Sequence, residues 1–147
     1  MYIQNLVLHN FKCFENMELD FHPNLTVIVG ANGSGKTSIM DGAAIAISAL
    51  FVKMDGLSGR SIDKSQVHLK AFSIGSTKDV QPQYPVTVKA SAVIGNEELA
   101  WARSLNKSTG STTVIDARNI IDIGVHFQEQ LRVGDTSLIL PVIAYYG

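Results

Sequence analysis

The chain has one cysteine, Cys13, so it cannot form an internal disulfide. A single thiol suits a reducing compartment, and no early segment has the layout of a signal peptide. We therefore expect a cytoplasmic protein. The apolar stretch 43–52 is too short to span a bilayer, so we expect no membrane partner.

Net charge is also nearly absent from this sequence. The 12 basic and 13 acidic residues leave a formal net charge of −1, so no general attraction to nucleic acid or to a membrane surface follows. A local basic groove is still compatible with that balance. With 147 residues, 46% of them hydrophobic, the chain can form one modest domain with a core.

A glycine-rich run is the most informative feature that the sequence contains. Residues 30–37, Gly-Ala-Asn-Gly-Ser-Gly-Lys-Thr, fit the P-loop pattern G-x-x-x-x-G-K-S/T at every fixed position. Residues 25–29 before it are apolar and β-branched and predict a buried strand. Residues 37–53 after it are rich in Ala, Ile, Leu and Met and predict a helix. Strand, loop and helix together predict a site for nucleotide phosphates.

The spacing assigns a role to each residue type in this run. Glycines permit dihedrals in which successive N–H groups point inward and, with the helix N-terminus, bind an anion. Lys36 can reach the β- and γ-phosphates, Thr37 can ligate Mg²⁺, and Ser38 can donate to a phosphate oxygen. A glycine turn with a surface lysine is the alternative, but it does not explain why all these constraints coincide. The candidate binding residues are Gly30, Ala31, Asn32, Gly33, Ser34, Gly35, Lys36, Thr37 and Ser38. Of these, Lys36 and Thr37 are the candidate catalytic residues.

Patterning outlines the rest of the chain. Alternation predicts antiparallel strands at 2–10 and 15–21 and a hairpin with strands at 86–94 and 99–105 around a turn at 95–98. Helical spacing predicts a helix at 116–133 with Gly134 as its C-cap, and an apolar run predicts a buried strand at 138–145 that starts or bulges at Pro141. Residues 55–83 are predicted as loop with a short strand at 67–74. The P-loop helix should bury a stripe of Met40, Ala44, Ile47 and Phe51, widened by Ile39, Ala43 and Leu50.

These residues resemble a known group of ATPases. Ile3, Leu6 and Leu8, the step Asn10-Phe11-Lys12-x-Phe14, two antiparallel strands and then Val-Gly-Ala-Asn-Gly-Ser-Gly-Lys-Thr-Ser resemble the N-terminal lobe of ABC-type ATPase heads. The group is that of RecF, SMC, Rad50 and overcoming-lysogenization-defect proteins. Residues 140–147 are similar to a strand of AAA-labelled bacterial ATPases, some from retron-linked and Septu-type anti-phage systems.

The resemblance carries implications for two further positions. Lys12 would reach toward the bound nucleotide, although a solvated lysine at a strand end is an equally weighted alternative. Residues 145–147 would lie near Mg²⁺ and the γ-phosphate, where these heads often carry a glutamine. No glutamine is present here, so we expect Tyr145 and Tyr146 to pack rather than to take part in chemistry.

Parts that such heads need are not found in the sequence. No apolar run ends in Asp-Glu, so there is no Walker B acid, and residues 114–116 are too short and Thr-rich to supply one. Residues 57–60 imitate a signature loop only in composition and are interpreted as an ordinary turn. We expect residues 1–147 to be the N-terminal part of a head domain, with these elements beyond residue 147.

The sequence therefore predicts an α/β fold, a partial P-loop NTPase domain of the ABC-ATPase type with an antiparallel β-layer. That layer should comprise 2–29 and 86–105, and strands 25–29 and 138–146 should share a core sheet. The expected function is binding of ATP and Mg²⁺, with hydrolysis by a homodimer of complete heads. DNA or an effector nuclease is the expected partner, in DNA repair or anti-phage defence.

Two alternatives to an ATPase stay open at this point. The first is a nucleotide-gated binding module that turns over little ATP and controls a DNA- or effector-bound complex. The second is a P-loop kinase, which would need lid arginines; Arg103, Arg118 and Arg132 form no recognisable cluster.

Overall fold

A computed structural model describes residues 1–75 and 77–146. The strands are β1 (Tyr2–Phe11), β2 (Phe14–Asp20), β3 (Leu69–Ile74), β4 (Thr77–Pro82), β5 (Val86–Ile94) and β6 (Glu97–Leu105). The helices are α1 (Lys36–Ile47) and α2 (Arg118–Arg132), and 3₁₀ helices cover Ser48–Phe51, Lys64–Gln66 and Ile115–Ala117.

A four-stranded antiparallel sheet in the order β2-β1-β5-β6 forms the body of the fold. The predicted strand pairs are confirmed, and the β5–β6 turn is tighter than expected because Ile94 already pairs with Glu97. Side chains alternate across the sheet, so Leu6 of β1 stands between Leu19 of β2 and Ala90 of β5 on the same face. That face is the apolar one.

The apolar face of the sheet packs against both helices to form the core. Burying each large aliphatic side chain there stabilises the fold by about 1.5–3 kcal/mol. Trp101 of β6 also donates its indole N–H to the Ala46 carbonyl at 3.0 Å, which fastens the sheet to α1. The side chains that are almost completely buried are Leu6, Leu8, Phe11, Ile45, Leu50, Val86, Val88, Leu105, Ile120 and Ile121.

Helix α1 presents a different face to the sheet from the one that its periodicity predicted. Met40 is 45% exposed and Ala44, Ile47 and Phe51 are half-buried, so the predicted centre of the stripe is wrong. Ile39 and Leu50, which were expected to widen the stripe, are buried. Both flanks of the helix are apolar, so spacing alone could not choose between them. The small residues Gly42 and Ala46 allow α1 to approach the sheet closely, and Gly42 lies against the Leu8 side chain. The buried residues of α1 are Ser38, Ile39, Asp41, Gly42, Ile45 and Ala46.

The predicted core sheet is not formed by the residues that the structure describes. Within 1–75 and 77–146, neither 25–29 nor 138–146 pairs with a strand, and both predictions are wrong for this chain. Val29 is 88% exposed and Val142 is 97% exposed. A strand needs a neighbour to take its backbone hydrogen bonds, and apolar composition does not supply one. Gly147, the last residue of the run 140–147 that carries part of the predicted resemblance, lies outside the described residues.

Residues 69–82 form a hairpin where mostly loop was predicted. The short strand predicted at 67–74 corresponds to β3, but its partner β4 was missed. The β4 sequence, Thr-Lys-Asp-Val-Gln-Pro, is polar and exposed along its length, so it has no alternating apolar pattern to detect.

Helix α2 confirms the helix predicted at 116–133, although it starts two residues later. Gly134 has a φ of 78° and donates to the Leu131 carbonyl, while Asp135 donates to Gln130, which is the hydrogen-bond pattern of a Schellman cap. Ile115–Ala117 is a 3₁₀ helix, which agrees with rejecting residues 114–116 as a Walker B strand. No helix among residues 1–75 and 77–146 has the length and apolar character needed to cross a bilayer.

Candidate phosphate-binding site

The glycine run forms a loop whose backbone opens directly into α1. Gly33 and Gly35 have φ values of 81° and 93°, a left-handed conformation that favours glycine. Gly35 is the N-cap residue, no side chain caps the helix, and its first turn holds no acidic residue. The N–H groups at the start of α1 therefore stay available to an anion, and the helix dipole favours one there.

Lys36 is the first residue of α1, and its side chain folds back over the loop. Its ammonium donates to the carbonyl oxygens of Gly30 and Ala31, both at 2.7 Å. An ammonium has three N–H donors, so one remains for a phosphate oxygen even in this position. The loop thus already holds a positive charge beside the amides that a phosphate would use.

The other loop residues differ in their exposure. Ala31, Asn32, Ser34 and Thr37 are exposed, whereas Ser38 is only 8% exposed. Its hydroxyl accepts a hydrogen bond from Cys13 Sγ at 3.6 Å. The predicted donation from Ser38 to a phosphate stays a prediction.

Thr37 is the residue that could bind Mg²⁺. Among the described residues no group of three or more His, Cys, Asp or Glu side chains could hold a metal. Thr37 itself offers one exposed hydroxyl as a ligand. Mg²⁺ suits that arrangement, because it keeps several water ligands and binds through substrate phosphates.

The turn between β1 and β2 packs against the glycine loop at Gly35. A Cβ on Gly35 would overlap the ring of Phe14 and lie 2.7 Å from Cys13 Sγ. Lys12 precedes this pair in the left-handed conformation, with a φ of 50°. Its N–H donates to the Gln66 carbonyl at 2.6 Å, and its own carbonyl accepts from His68 Nδ1 at 2.8 Å. The backbone around residues 12–14 is therefore held in place on both sides.

The side chain of Lys12 is bound to a carboxylate that the sequence did not single out. Its ammonium pairs with Asp41 Oδ2, and the hydroxyl of Tyr145 donates to Asp41 Oδ1 at 2.8 Å. Arg60 Nη2 lies 3.8 Å from Oδ1, and the Arg60 guanidinium lies 5.0 Å from the centre of the Tyr145 ring. We call Lys12, Asp41, Arg60 and Tyr145 the Asp41 cluster. Contact of Lys12 with nucleotide stays a prediction. Tyr145 packs against Arg60 and also donates to Asp41, and its having no chemical role stays a prediction. Tyr146 is 92% exposed, so the expectation that it packs is wrong.

The ionisation of Asp41 follows from this cluster. Burial by itself would raise the pKa of the carboxyl, but hydrogen bonds from Lys12 and Tyr145 and the charges of Lys12 and Arg60 outweigh it and lower the pKa below its usual value. Asp41 is therefore ionised in the folded protein near neutral pH. A sequence clue existed, since Asp41 is the one charged residue between Thr37 and Phe51.

Replacing Asp41 with asparagine should change the acid stability of the fold. A lowered folded pKa means that Asp41 stabilises the protein above its unfolded pKa of about 3.9 and that this stability is lost as pH falls through the folded value. Thermal unfolding measured between pH 6 and pH 2.5 should show a smaller acid-induced loss for Asp41→Asn than for the wild type. Equal losses in both proteins would contradict the pKa assignment.

Alanine substitutions at Gly33 and Gly35 distinguish the cost of a left-handed backbone from the cost of steric overlap with neighbouring side chains. Gly33→Ala places its methyl group in open space and meets only the left-handed backbone, which costs about 1–2 kcal/mol. Gly35→Ala meets the same strain and the overlap with Phe14 as well. Melting temperatures should therefore fall more for Gly35→Ala than for Gly33→Ala. A larger fall for Gly33→Ala would contradict the described packing.

The left-handed glycine loop opening a helix beside an antiparallel sheet defines a P-loop nucleoside triphosphatase fold. A family model described as an AAA domain matches residues 5–147. That match covers almost all of the sequence, so the chain belongs to this AAA domain family.

Curated relatives match a short part of the chain. The proteins named DNA replication and repair protein RecF are 44% identical over 41 residues in Lactococcus lactis subsp. cremoris (strain MG1363) and 42% over 41 residues in Listeria monocytogenes serotype 4b (strain F2365). Each match takes in 28% of this chain and 11% of the relative. The predicted resemblance to RecF is confirmed at this level, over a small fraction of those proteins.

A solved structure shares the fold over a much larger part of the chain. It comes from work described as structural biochemistry of ATP-driven dimerization and DNA stimulated activation of SMC ATPases. The TM-score is 0.55 with 24% identity, over 84% of this chain and 77% of that one. The predicted fold class, a partial P-loop NTPase domain with an antiparallel β-layer, is confirmed.

Proposed function

We propose that the chain binds ATP with Mg²⁺ through residues 30–38, as the N-terminal lobe of an ATPase head. The observation that carries the proposal is Lys36, whose ammonium lies on the Gly30 and Ala31 carbonyls at the uncapped start of α1. Membership of the AAA domain family supports it.

Hydrolysis is proposed for a complete head rather than for this lobe. Phosphoryl transfer in P-loop proteins depends on positioning and charge neutralisation, for which Lys36 and Thr37 supply part of the machinery. Phosphate release by the full-length protein should be lost in Lys36→Ala and retained in Lys53→Ala, which changes an exposed lysine beyond α1. Equal release by the wild type and Lys36→Ala would rule out the enzyme assignment.

A nucleotide-dependent dimer and a DNA partner belong to the same proposal. The SMC structure that shares the fold was described in terms of ATP-driven dimerization and DNA stimulated activation, and the RecF relatives are named for DNA replication and repair. Light scattering on full-length protein should show a doubling of mass with a non-hydrolysable ATP analogue. A monomer at saturating analogue would contradict the dimer. An anti-phage role, an effector-nuclease partner and a cytoplasmic location stay predictions.

A nucleotide-gated switch is the second candidate. It is favoured by the state of Asp41, the acidic residue closest in sequence to Thr37, because both its oxygens are taken by Lys12 and Tyr145. This carboxylate is thus engaged within the Asp41 cluster rather than open to Mg²⁺ or water. Tight ATP binding without phosphate release by the full-length protein would establish the switch.

A further inference from the structure

We propose that Asp41 is a positioning residue that couples the phosphate-binding loop to the C-terminal segment, residues 138–146. The inference rests on the proposed binding of ATP by residues 30–38 and names a regulation of that same site. In this account, nucleotide attracts Lys12 away from Asp41, and the freed carboxylate then holds Arg60 and Tyr145 more tightly.

Asp41 lies where two separate parts of the chain meet. It is four residues after Thr37, so it stands one turn further along the same side of α1. Its side chain is 11% exposed. Oxygen Oδ2 accepts a hydrogen bond from Lys12 in the β1–β2 turn, and Oδ1 accepts one from Tyr145 in the C-terminal segment. One buried carboxylate is thus shared by a residue beside the loop and by a residue 104 positions away in the sequence.

Lys12 is able to respond to a ligand in the loop. The side chains of its neighbours Cys13 and Phe14 lie directly against Gly35. The turn that carries Lys12 therefore contacts the glycine loop itself. The Lys12 side chain is 28% exposed and therefore has room to move. Magnesium-ATP adds net negative charge at the start of α1, and a lysine ammonium is a mobile point charge that phosphate attracts strongly.

Departure of Lys12 would leave a buried carboxylate with fewer partners. An unpaired charge in such a place is costly, so the remaining donors must compensate. Arg60 is already 3.8 Å from Oδ1 and stacks on the Tyr145 ring, and a small movement would turn it into a close ion pair. Nucleotide would thereby strengthen the attachment of Tyr145 to α1.

The C-terminal segment depends on this attachment. Ile139 is 90% exposed and Tyr146 is 92% exposed. Across the described part of the chain, the Tyr145 hydroxyl makes the only side-chain hydrogen bond from residues 138–146. The segment is also held by the contact of Arg60 with the Tyr145 ring, and it borders a cavity lined by Met1, Ile3 and Ile47. A change at Asp41 should therefore be visible as a change in the mobility of this segment.

Hydrogen exchange of residues 138–146 tests the coupling. The 147-residue chain is compared with and without magnesium and the non-hydrolysable analogue AMP-PNP, and calorimetry on the same samples reports whether the analogue binds. In the wild type, the analogue should slow exchange in this segment by about twofold to fivefold, the effect expected from strengthening one partly exposed ion pair.

Two variants and one matched control isolate Asp41. Asp41→Asn and Tyr145→Phe should both bind the analogue, and exchange in residues 138–146 should no longer respond to it. Tyr145→Phe removes a single hydroxyl from a half-exposed side chain, so it keeps the test valid if Asp41→Asn does not fold. Asp55→Asn makes the same chemical change at an exposed carboxylate paired with Arg132 and should respond as the wild type does.

The outcomes separate the coupling from the proposed function. If the analogue binds the wild type but exchange in residues 138–146 does not change, the coupling is wrong and ATP binding stands. A full response in folded Tyr145→Phe or Asp41→Asn would also overturn the coupling. If calorimetry shows no binding of the analogue to the wild type, both the proposed function and the coupling fail.

Discussion

Replacing Lys36 with alanine is expected to weaken binding of magnesium-ATP by about tenfold to a hundredfold. A hydrogen bond to a charged group contributes about 1.5–3 kcal/mol, and each 1.4 kcal/mol is a factor of ten in affinity. The Lys36 ammonium lies on the loop through the Gly30 and Ala31 carbonyls, so its loss removes the positive charge closest to the predicted phosphates. Fluorescence anisotropy of a labelled ATP measures the change.

A matched lysine shows whether this effect is specific. Lys53→Ala removes the same side chain from an exposed turn beyond α1 and should bind ATP as the wild type does. The fold should survive Lys36→Ala, because the side chain hydrogen-bonds to carbonyls of exposed loop residues and is not part of the hydrophobic core. Unchanged affinity in folded Lys36→Ala would mean that residues 30–38 are not the phosphate site.

Replacing Gly124 with alanine is expected to lower the free energy of unfolding by at least about 2 kcal/mol, which overpacking of a core commonly costs. A Cβ at this position of α2 would overlap the Leu50 carbonyl oxygen and lie 3.0 Å from its carbon. The obstacle is backbone, so α2 must move away from the 3₁₀ helix Ser48–Phe51. Alanine favours a helix over glycine by about 1 kcal/mol, which is too little to offset the overlap.

Two comparisons make the Gly124 result interpretable. Gly42→Ala also crowds the core, but its Cβ would meet the flexible end of the Leu8 side chain at 2.6 Å, so a smaller loss is expected. Glu129→Ala on the exposed side of α2 should change stability by less than about 0.5 kcal/mol. Thermal unfolding of the three variants gives the order, and a Gly124→Ala protein as stable as the wild type would contradict the α2 packing.

The antiparallel layer could be predicted from the sequence because its pattern is local. Strands β1 and β5 largely alternate apolar and polar residues and bury mainly the apolar set, whereas β6 buries Arg103 between Trp101 and Leu105. Residues 25–29 and 138–146 carry an equally apolar composition, yet they pair with no strand in residues 1–75 and 77–146. Composition predicts what a segment can do, whereas pairing depends on a neighbour that lies elsewhere in sequence.

In the candidate site, too, the part formed by consecutive residues could be predicted and the part formed by distant residues could not. The loop from Gly30 to Lys36 could be predicted because consecutive residues carry its geometry. Gly33 and Gly35 have the left-handed backbone expected of the loop glycines, whereas Gly30 does not. The Asp41 cluster could not be predicted, because its four members come from four distant segments. A lone aspartate in an apolar helix signals a buried partner without saying which one.

The central claim is that main-chain amides and Lys36 at residues 30–38 hold the phosphates of a nucleotide. Titration calorimetry of the folded chain with magnesium-ATP, inorganic tripolyphosphate and adenosine tests it most directly. We expect saturable binding of ATP at one site per chain, competition by tripolyphosphate and no detectable binding of adenosine. Failure of ATP to associate with folded protein, or equal binding of adenosine, would contradict it.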